Sequence, residues 1–363
     1  MNLLIEIKRQ SARRSGISVV EVLSAIVVAM IGVFGVMILI PFAVQQAQGG
    51  LDRDEGATVG RNAFEQFEIE GFRYVGYDPA TGSNHTTRLR GLAGNNVTVD
   101  GPTGVMVVDP LYMAENGSAD KFCSFTRFNL VDTNNTPFTS GLARHMCRST
   151  DDLQFKSTLD NPPAGLVEEL APPQQIFDLA GGNAARRQSL GRISWNAVLV
   201  PVKTDYGQTP TGSGTPGLMF RMHVLAHKNR DLAQGVEYPS ATVVTPVSGT
   251  GHSGGTVTVA WDPLPLNPTI TVPDVRRDDW VMLTNSANNT VESGYRNQVG
   301  FFRVMGVFSS NQGTTLTLDG PDFGFNSGTK LHHLVGFRNG KRSDHVVNVY
   351  ERTMRWERKS NWN

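Results

Sequence analysis

The sequence contains little cysteine and no excess of charge of either sign. Cys123 and Cys147 are its two cysteines, which excludes a scaffold held by many disulfides. Its 33 Lys and Arg residues balance its 33 Asp and Glu residues, so no net field attracts nucleic acid, and we expect no nucleic-acid partner. Aromatic residues make up only 8%, whereas 38 Gly and 19 Pro predict many turns. This composition favours β structure, and 363 residues are enough for two folded units.

Sequence patterns that carry chemistry are also missing. The chain has no H-E-x-x-H, no G-x-S-x-G and no glycine-rich phosphate loop. His223 and His227 share one face of a predicted strand, but no third ligand follows at a spacing typical of zinc sites. We interpret them as solvated strand histidines, and we predict that the protein is not an enzyme and holds no cofactor or metal.

One long apolar run lies near the N-terminus. No charged residue occurs between Glu21 and Asp52, and residues 22–44 are almost wholly apolar. A helix of that length reaches about 34 Å, which is enough to cross a bilayer. Four basic residues precede the run and acidic residues follow it, so the positive-inside rule predicts one pass with the C-terminal bulk outside the cytoplasm. The alternative is a secretory signal peptide, whose apolar core is usually about 7–15 residues.

The lone carboxylate at the start of this run has two interpretations. Ser18 and Glu21 match a capping box, S-x-x-E, in which the glutamate bonds back to the serine amide. That motif does not account for the basic leader before it, which ends in Gly16 directly ahead of the apolar residues.

Residues 13–42 resemble the class III signal of type IV pilins and type II secretion pseudopilins, most closely their minor members. In that family a basic leader ends in glycine, a prepilin peptidase cuts after it and methylates the new amine, and a glutamate is fifth in the mature chain. Gly16, Ile17 and Glu21 match these positions. Two departures are that Ile17 replaces the common phenylalanine and that Pro41 lies later than in many pilins.

The resemblance implies cleavage after Gly16, methylation at Ile17, and pairing of Glu21 with the N-terminal amine of a neighbouring subunit. The implied partners are prepilin peptidase, other pilin or pseudopilin subunits and inner-membrane lipid. The implied function is a minor structural subunit of a type IV pilus or a secretion pseudopilus, and the sequence does not separate these two. The alternative is a single-pass, membrane-anchored extracytoplasmic binding or adhesion protein with an uncleaved signal anchor.

The rest of the chain predicts an α+β fold, in which a long N-terminal helix precedes an antiparallel β-rich head and a second small β-barrel or sandwich. Small and aromatic residues recur at helical spacing over residues 45–72, which predicts either the outer half of the long helix or a separate core helix. Alternation predicts a half-buried strand over residues 218–227, paired with residues 193–202. The predicted divisions are a leader (1–16), a membrane and assembly helix (17–72), a pilin-like head (73–248) and a second β module (249–363).

The two cysteines have alternative states that depend on the compartment. Outside the cytoplasm Cys123 and Cys147 could form a disulfide that closes a loop of about 25 residues, whereas in the cytosol both would be free thiols. The pilin family often has a disulfide in the head, usually nearer the C-terminus than here.

Overall fold

The structure is a computed structural model that divides into two compact units, residues 1–51 and residues 52–363. We call the second unit the head. The described residues are 19–78, 83–90, 96–98, 105–116, 121–123, 125–132, 134–148, 153–156, 186–189, 192–202, 219–232, 236–247, 255–264, 272–285, 299–310, 313–321, 323 and 328–358.

Helix α1 (Val19–Ile69) contributes residues to both units, and Pro41 lies inside it. Its C-terminus is closed by Gly71, which has a φ of 68°. The amide of Phe72 donates to the Phe67 carbonyl (3.2 Å) and the amide of Gly71 donates to the Glu68 carbonyl (3.2 Å). This is a Schellman motif, and the contact between the Phe67 and Phe72 rings (5.6 Å) is its hydrophobic component. The glycine therefore ends the helix and directs the chain into the first strand.

A mixed sheet of eleven strands, counted over the described residues, forms the centre of the head. Two neighbouring pairs in it are parallel, β4 (Met106–Val108) with β6 (Phe125–Leu130) and β1 (Tyr74–Asp78) with β19 (Glu357–Arg358). The head was predicted to be antiparallel, whereas this sheet is mixed. Its strands are β1 (Tyr74–Asp78), β2 (Ser83–Arg90), β3 (Asn96–Thr98), β4 (Met106–Val108), β5 (Lys121–Phe122), β6 (Phe125–Leu130), β9 (Ile193–Val202), β10 (Met219–Lys228), β17 (Val335–Arg338), β18 (Lys341–Arg355) and β19 (Glu357–Arg358).

The smaller elements flank this sheet. Helix α2 (Pro110–Asn116) follows β4, and helix α3 (Ser140–Cys147) packs its buried residues against the same core as α1. Strands β7 (Leu153–Lys156) and β8 (Arg186–Ser189) pair with each other as a two-stranded ribbon.

The central strands β9 and β10 are buried on both faces. Phe220, Met222 and Val224 face the core that also contains the head portion of α1. Leu225 lies in a second core on the opposite face, together with Val198 and barrel residues. Strands covered on both faces need apolar side chains at successive positions, which explains the nearly continuous apolar sequence of β9. The β9 to β10 pairing is antiparallel, but the strand predicted to be half-buried is fully covered.

A closed barrel covers that second face. It is built from six described strands in the order β11, β12, β15, β14, β13 and β16. Alternate apolar residues fill its interior, as a small barrel requires. The strands are β11 (Ser240–Val247), β12 (Gly255–Trp261), β13 (Trp280–Thr284), β14 (Val299–Ser310), β15 (Gly313–Asp319) and β16 (Lys330–His333).

The barrel is an insertion in the sheet. It begins at Ser240, and after His333 the chain returns to the sheet, where β18 pairs directly with β10. The division predicted at residues 248 and 249 therefore falls between two barrel strands, and the C-terminal strands lie in the sheet. The reason is that β18 is the non-local partner of β10, a pairing that turn residues along the chain do not signal. The α+β class is confirmed.

Candidate functional site

The first unit presents an apolar helical surface. Every side chain from residue 19 to residue 41 is exposed, including Ile38 at 73%. The helix is long and apolar enough to cross a membrane once. Over residues 19–41 the helix is apolar on all sides, which is the pattern of a helix in lipid or in an apolar assembly. A helix that packs on a soluble core has one apolar stripe instead.

Within residues 19–44, the polar side chains lie near the N-terminal end of the helix. Glu21 is in the first turn of α1, where a negative charge is favourable to the helix dipole. Ser24 is the one polar side chain between residues 22 and 44, and its hydroxyl donates to the Val20 carbonyl (2.5 Å). Such a bond keeps the hydroxyl satisfied without water. Gly16, Ile17 and the leader (1–16) lie outside the described residues, as does Ser18 of the capping box.

Within the head, the last part of α1 packs closely on the sheet. Phe67 is 0% exposed, and Val59, Ala63 and Phe64 are also buried in the same core. At Gly60 an added Cβ would lie 2.4 Å from the Tyr350 ring, so only glycine permits this approach. Within the head portion of α1, the apolar face that was predicted over residues 45–72 therefore packs on the sheet.

Two polar contacts hold an earlier part of the helix to the sheet. Lys228 Nζ lies 2.5 Å from Asp52 Oδ2, and the Tyr350 hydroxyl donates to the Arg53 carbonyl (3.4 Å). Both contacts lie at the start of the head portion of α1.

A buried ionic group lies at the ends of the central strands. Asp109 follows β4, and its carboxylate accepts from Arg127 Nε (2.9 Å) and from both terminal nitrogens of Arg230, one at 2.9 Å. Burial alone would raise the pKa of Asp109, but the charges of Arg230 and Arg127 outweigh it and lower this pKa to about 2. Asp109 also accepts from the Tyr112 amide (3.3 Å), as an N-cap of α2 with Pro110 at the first helical position. The group joins β4, β6 and the end of β10.

A second buried carboxylate lies nearby. Tyr238 donates its hydroxyl to Asp344 Oδ2 (3.0 Å), and His227 Nδ1 lies 3.9 Å from the same oxygen. Burial raises the pKa of Asp344 to about 6, despite the nearby Arg230. Burial also lowers the pKa of His227, whose Nε2 pairs with Asn196 (3.1 Å). We call Asp109, Arg127, Arg230, Tyr238, Asp344 and His227 the polar cluster.

The histidines that the sequence singled out are buried. His223 is 3% exposed and His227 is 0% exposed, so the interpretation as solvated residues is wrong. A barrel residue, Phe301, covers His223, whereas Phe122 of strand β5 packs on His227. The local alternation of the strand does not indicate either partner. Among the described residues, no group of three His, Cys, Asp or Glu side chains is placed to hold a metal ion.

The two cysteines are free thiols in the structure. Cys147 lies in the core on the α1 face of the sheet, whereas Cys123 packs against the core on the barrel face. Because the sheet separates these cores, the structure places no disulfide between them. Burial raises the pKa of Cys123 to about 12 and also raises the pKa of Cys147, so neither thiol is a reactive thiolate at neutral pH.

Comparison with known proteins gives no relatives. No family model, no curated protein and no solved structure matches the chain.

Sequence reasoning missed the polar cluster. The two arginines that pair with Asp109 are 18 and 121 residues away from it in the chain. The available signal was the Asp-Pro dipeptide before an apolar turn, which predicts a capped helix start but not its ionic partners.

Proposed function

We propose that the chain is a minor pilin-like subunit of a type IV pilus or a type II secretion pseudopilus. The observation that carries this proposal is the exposed apolar helix with Glu21 in its first turn, which follows a basic leader ending in Gly16. An apolar surface of this extent requires lipid or other apolar helices around it.

In this proposal the inner membrane holds the subunit before assembly, with the head outside the cytoplasm. Prepilin peptidase cuts after Gly16 and methylates Ile17. The new amine of one subunit then neutralises Glu21 of its neighbour, because an ion pair in low dielectric is much stronger than one in water. The size of the head favours a minor component, since large heads would crowd a repeated filament.

The test is the N-terminal sequence and intact mass of the protein from cells with and without prepilin peptidase. A methylated Ile17 terminus that depends on the peptidase is the expected result. Gly16→Val should leave the full leader in place, whereas the control Gly32→Ala should be processed normally, because Gly32 has open space around it. An intact Met1 terminus in both strains would overturn the proposal.

A second experiment separates the two interpretations of Glu21. Glu21→Gln keeps the capping box, which accepts glutamine, but removes the charge that would pair with a neighbouring amine. Ser18→Ala removes the cap and keeps the charge. We expect Glu21→Gln to be processed but absent from cross-linked filaments, and Ser18→Ala to assemble. The opposite pattern would assign Glu21 to the cap.

The capping box also favours one other function, a single-pass anchored binding or adhesion protein with an uncleaved signal anchor. Ser18 and Glu21 would then only start the membrane helix. A full-length chain in membranes that does not respond to loss of the peptidase would support that function.

A further inference from the structure

A cleft of about 330 Å³ lies between barrel strands β13 to β15 and sheet strands β10 and β18. Its volume is within the range of about 300–1,000 Å³ that is usual for small-ligand sites. The side chains that determine its chemistry are Arg221, His223, Trp280, Arg303, Asp319 and Glu351.

The most informative group in the cleft is His223. Its side chain is buried, and among the described residues no donor or acceptor pairs with its Nε2. Its Nδ1 lies 3.7 Å from Glu351 Oε2, which is too long for a hydrogen bond. Its ring is held against Phe301 at 4.7 Å. A buried polar nitrogen normally has a partner, so an unpaired one on a side chain that lines a cleft points to a ligand.

The state of His223 restricts that ligand. Burial, and then the charge of Arg221, lower the pKa of His223 to about 3, so the imidazole is neutral at physiological pH. A neutral imidazole offers one donor and one acceptor. It therefore suits a ligand hydroxyl, which can serve as either.

The charges of the cleft cancel. Arg221 lies 3.5 Å from Glu351, and Arg303 lies 2.6 Å from Asp278 outside the cleft wall. Asp319 is opposite Arg303 in the β14 to β15 pairing. With each arginine beside a carboxylate, no net charge selects an anion or a cation.

The cleft also has a fixed aromatic ring. Trp280 is half-buried, and its indole N–H donates to the Val347 carbonyl across the junction of barrel and sheet (3.3 Å). Since that bond occupies the one polar group of the indole, the ring offers the cleft only its apolar carbon surface.

From this geometry we propose that the cleft binds a neutral saccharide, with a hydroxyl on His223 Nε2, further hydroxyls on the paired charged groups and the C–H face of the sugar on Trp280. A sugar combines these features, whereas a phosphate lacks the apolar face and a hydrocarbon lacks the hydroxyls. The proposal concerns the head alone and does not depend on filament assembly.

The test uses the full chain in a detergent without a sugar headgroup, such as lauryldimethylamine oxide. Neutral disaccharides of glucose, galactose, mannose and N-acetylglucosamine are titrated, and binding is measured by saturation transfer to sugar protons. We expect at least one to bind with a Kd below about 10 mM. Inorganic phosphate and glycylglycine are the comparison probes.

Variants locate the binding. His223→Phe keeps a packed ring but loses the polar nitrogen, and it should weaken binding about tenfold. His223→Gln keeps a donor and an acceptor and should retain most of the affinity. Trp280→Phe should also weaken binding, whereas Trp261→Phe should not, because Trp261 is a half-buried barrel tryptophan outside the cleft with its own N–H bond to Thr314 (3.1 Å). Thermal unfolding of each variant shows whether it is folded.

Three results would overturn the proposal. One is the absence of binding by every disaccharide. Another is binding that His223→Phe and Trp280→Phe, both folded, leave unchanged. The third is a signal that depends on His223 for phosphate or glycylglycine and not for any sugar, which would identify an anion or peptide site.

Discussion

The two faces of the central sheet are covered in different ways. On one face, the head portion of α1 packs through Val59, Phe64 and Phe67 with apolar contacts and a glycine at the closest approach. On the other, the barrel packs on Leu225 and Val198, but the same core also includes Phe122, which contacts His227, and Tyr238, which donates to the buried Asp344. The same sheet therefore has one face held mainly by apolar packing and one that also depends on specific charge pairs.

This difference has physical consequences. Apolar packing depends on volume and hardly on pH, whereas buried charges depend on pH and on the presence of every partner. Four changes to the chain, ordered from the largest expected effect to the smallest, test whether the faces differ in this way. Each is measured by tryptophan fluorescence during denaturant unfolding of the full chain in detergent.

Asp109→Ala should have the largest effect. It leaves the guanidinium groups of Arg127 and Arg230 buried without their carboxylate, and we expect a loss of about 3–5 kcal/mol in the free energy of unfolding. The control is Asp274→Ala, which breaks an exposed pair with Arg276 and should change stability by less than about 0.5 kcal/mol. Similar values for the two variants would show that the cluster is not a stabilising element.

Asp344→Asn should stabilise the head in a pH-dependent way. The pKa of Asp344 is about 6 in the folded state and about 3.9 in the unfolded chain, so the folded state binds the proton more tightly. The contribution of Asp344 to the free energy of unfolding of the wild type is therefore highest below about pH 4 and falls as the pH rises through 6. The variant should gain on the order of 2–3 kcal/mol over wild type at pH 7.5 and nothing at pH 4.

A difference between Asp344→Asn and wild type that is constant from pH 4 to pH 7.5 would contradict this prediction. Both proteins carry the same histidines away from this carboxylate, including His223 with its lowered pKa, so the contribution of their protonation cancels in the comparison.

Gly60→Ala tests the apolar face. The new methyl group would meet the Tyr350 ring, and we expect a loss of about 1–2 kcal/mol after the gain in helix propensity. The loss should not change between pH 4 and pH 7.5. Gly50→Ala is the matched control, because nothing lies within 4 Å of that position. In a Tyr350→Ala background, Gly60→Ala should no longer destabilise, and a persistent loss would place the strain elsewhere.

Lys228→Ala should have the smallest effect. It removes the ion pair with Asp52, whose two side chains are 22% and 16% exposed, and we expect a loss of about 1 kcal/mol that shrinks at high salt. Lys330→Ala, from a more exposed pair with Asp262, should be close to neutral. A larger loss than that of Gly60→Ala would mean that charge also holds the helix face.

Several features could be predicted from the sequence because their signals are local. The long uncharged run predicts α1, and alternation in β10 identifies Phe220, Met222 and Val224 as core residues. Turn residues between short apolar strands predict a barrel or sandwich, and the structure has the barrel. Each of these signals comes from residues that are consecutive, or nearly so, in the sequence.

Other features depend on pairs that are far apart in the chain. His223 was predicted to be solvated because its own strand alternates, but the inserted barrel buries it. The division at residue 248 is placed at a glycine-rich stretch, although strand β18 (Lys341–Arg355) lies far beyond it in the chain and returns to pair with β10. The predicted processing and assembly residues Gly16, Ile17 and Glu21 stay predictions.

The sequence by itself determined that this protein has a bilayer-length apolar helix with one carboxylate at its start, followed by a β-rich chain, because hydrophobicity and charge are properties of consecutive residues. Only the tertiary structure decided which strands pair across the barrel insertion, which polar groups are buried, and where the cleft around His223 lies. Burial and charge pairing are set by partners that meet only when the chain has folded, so no local pattern records them.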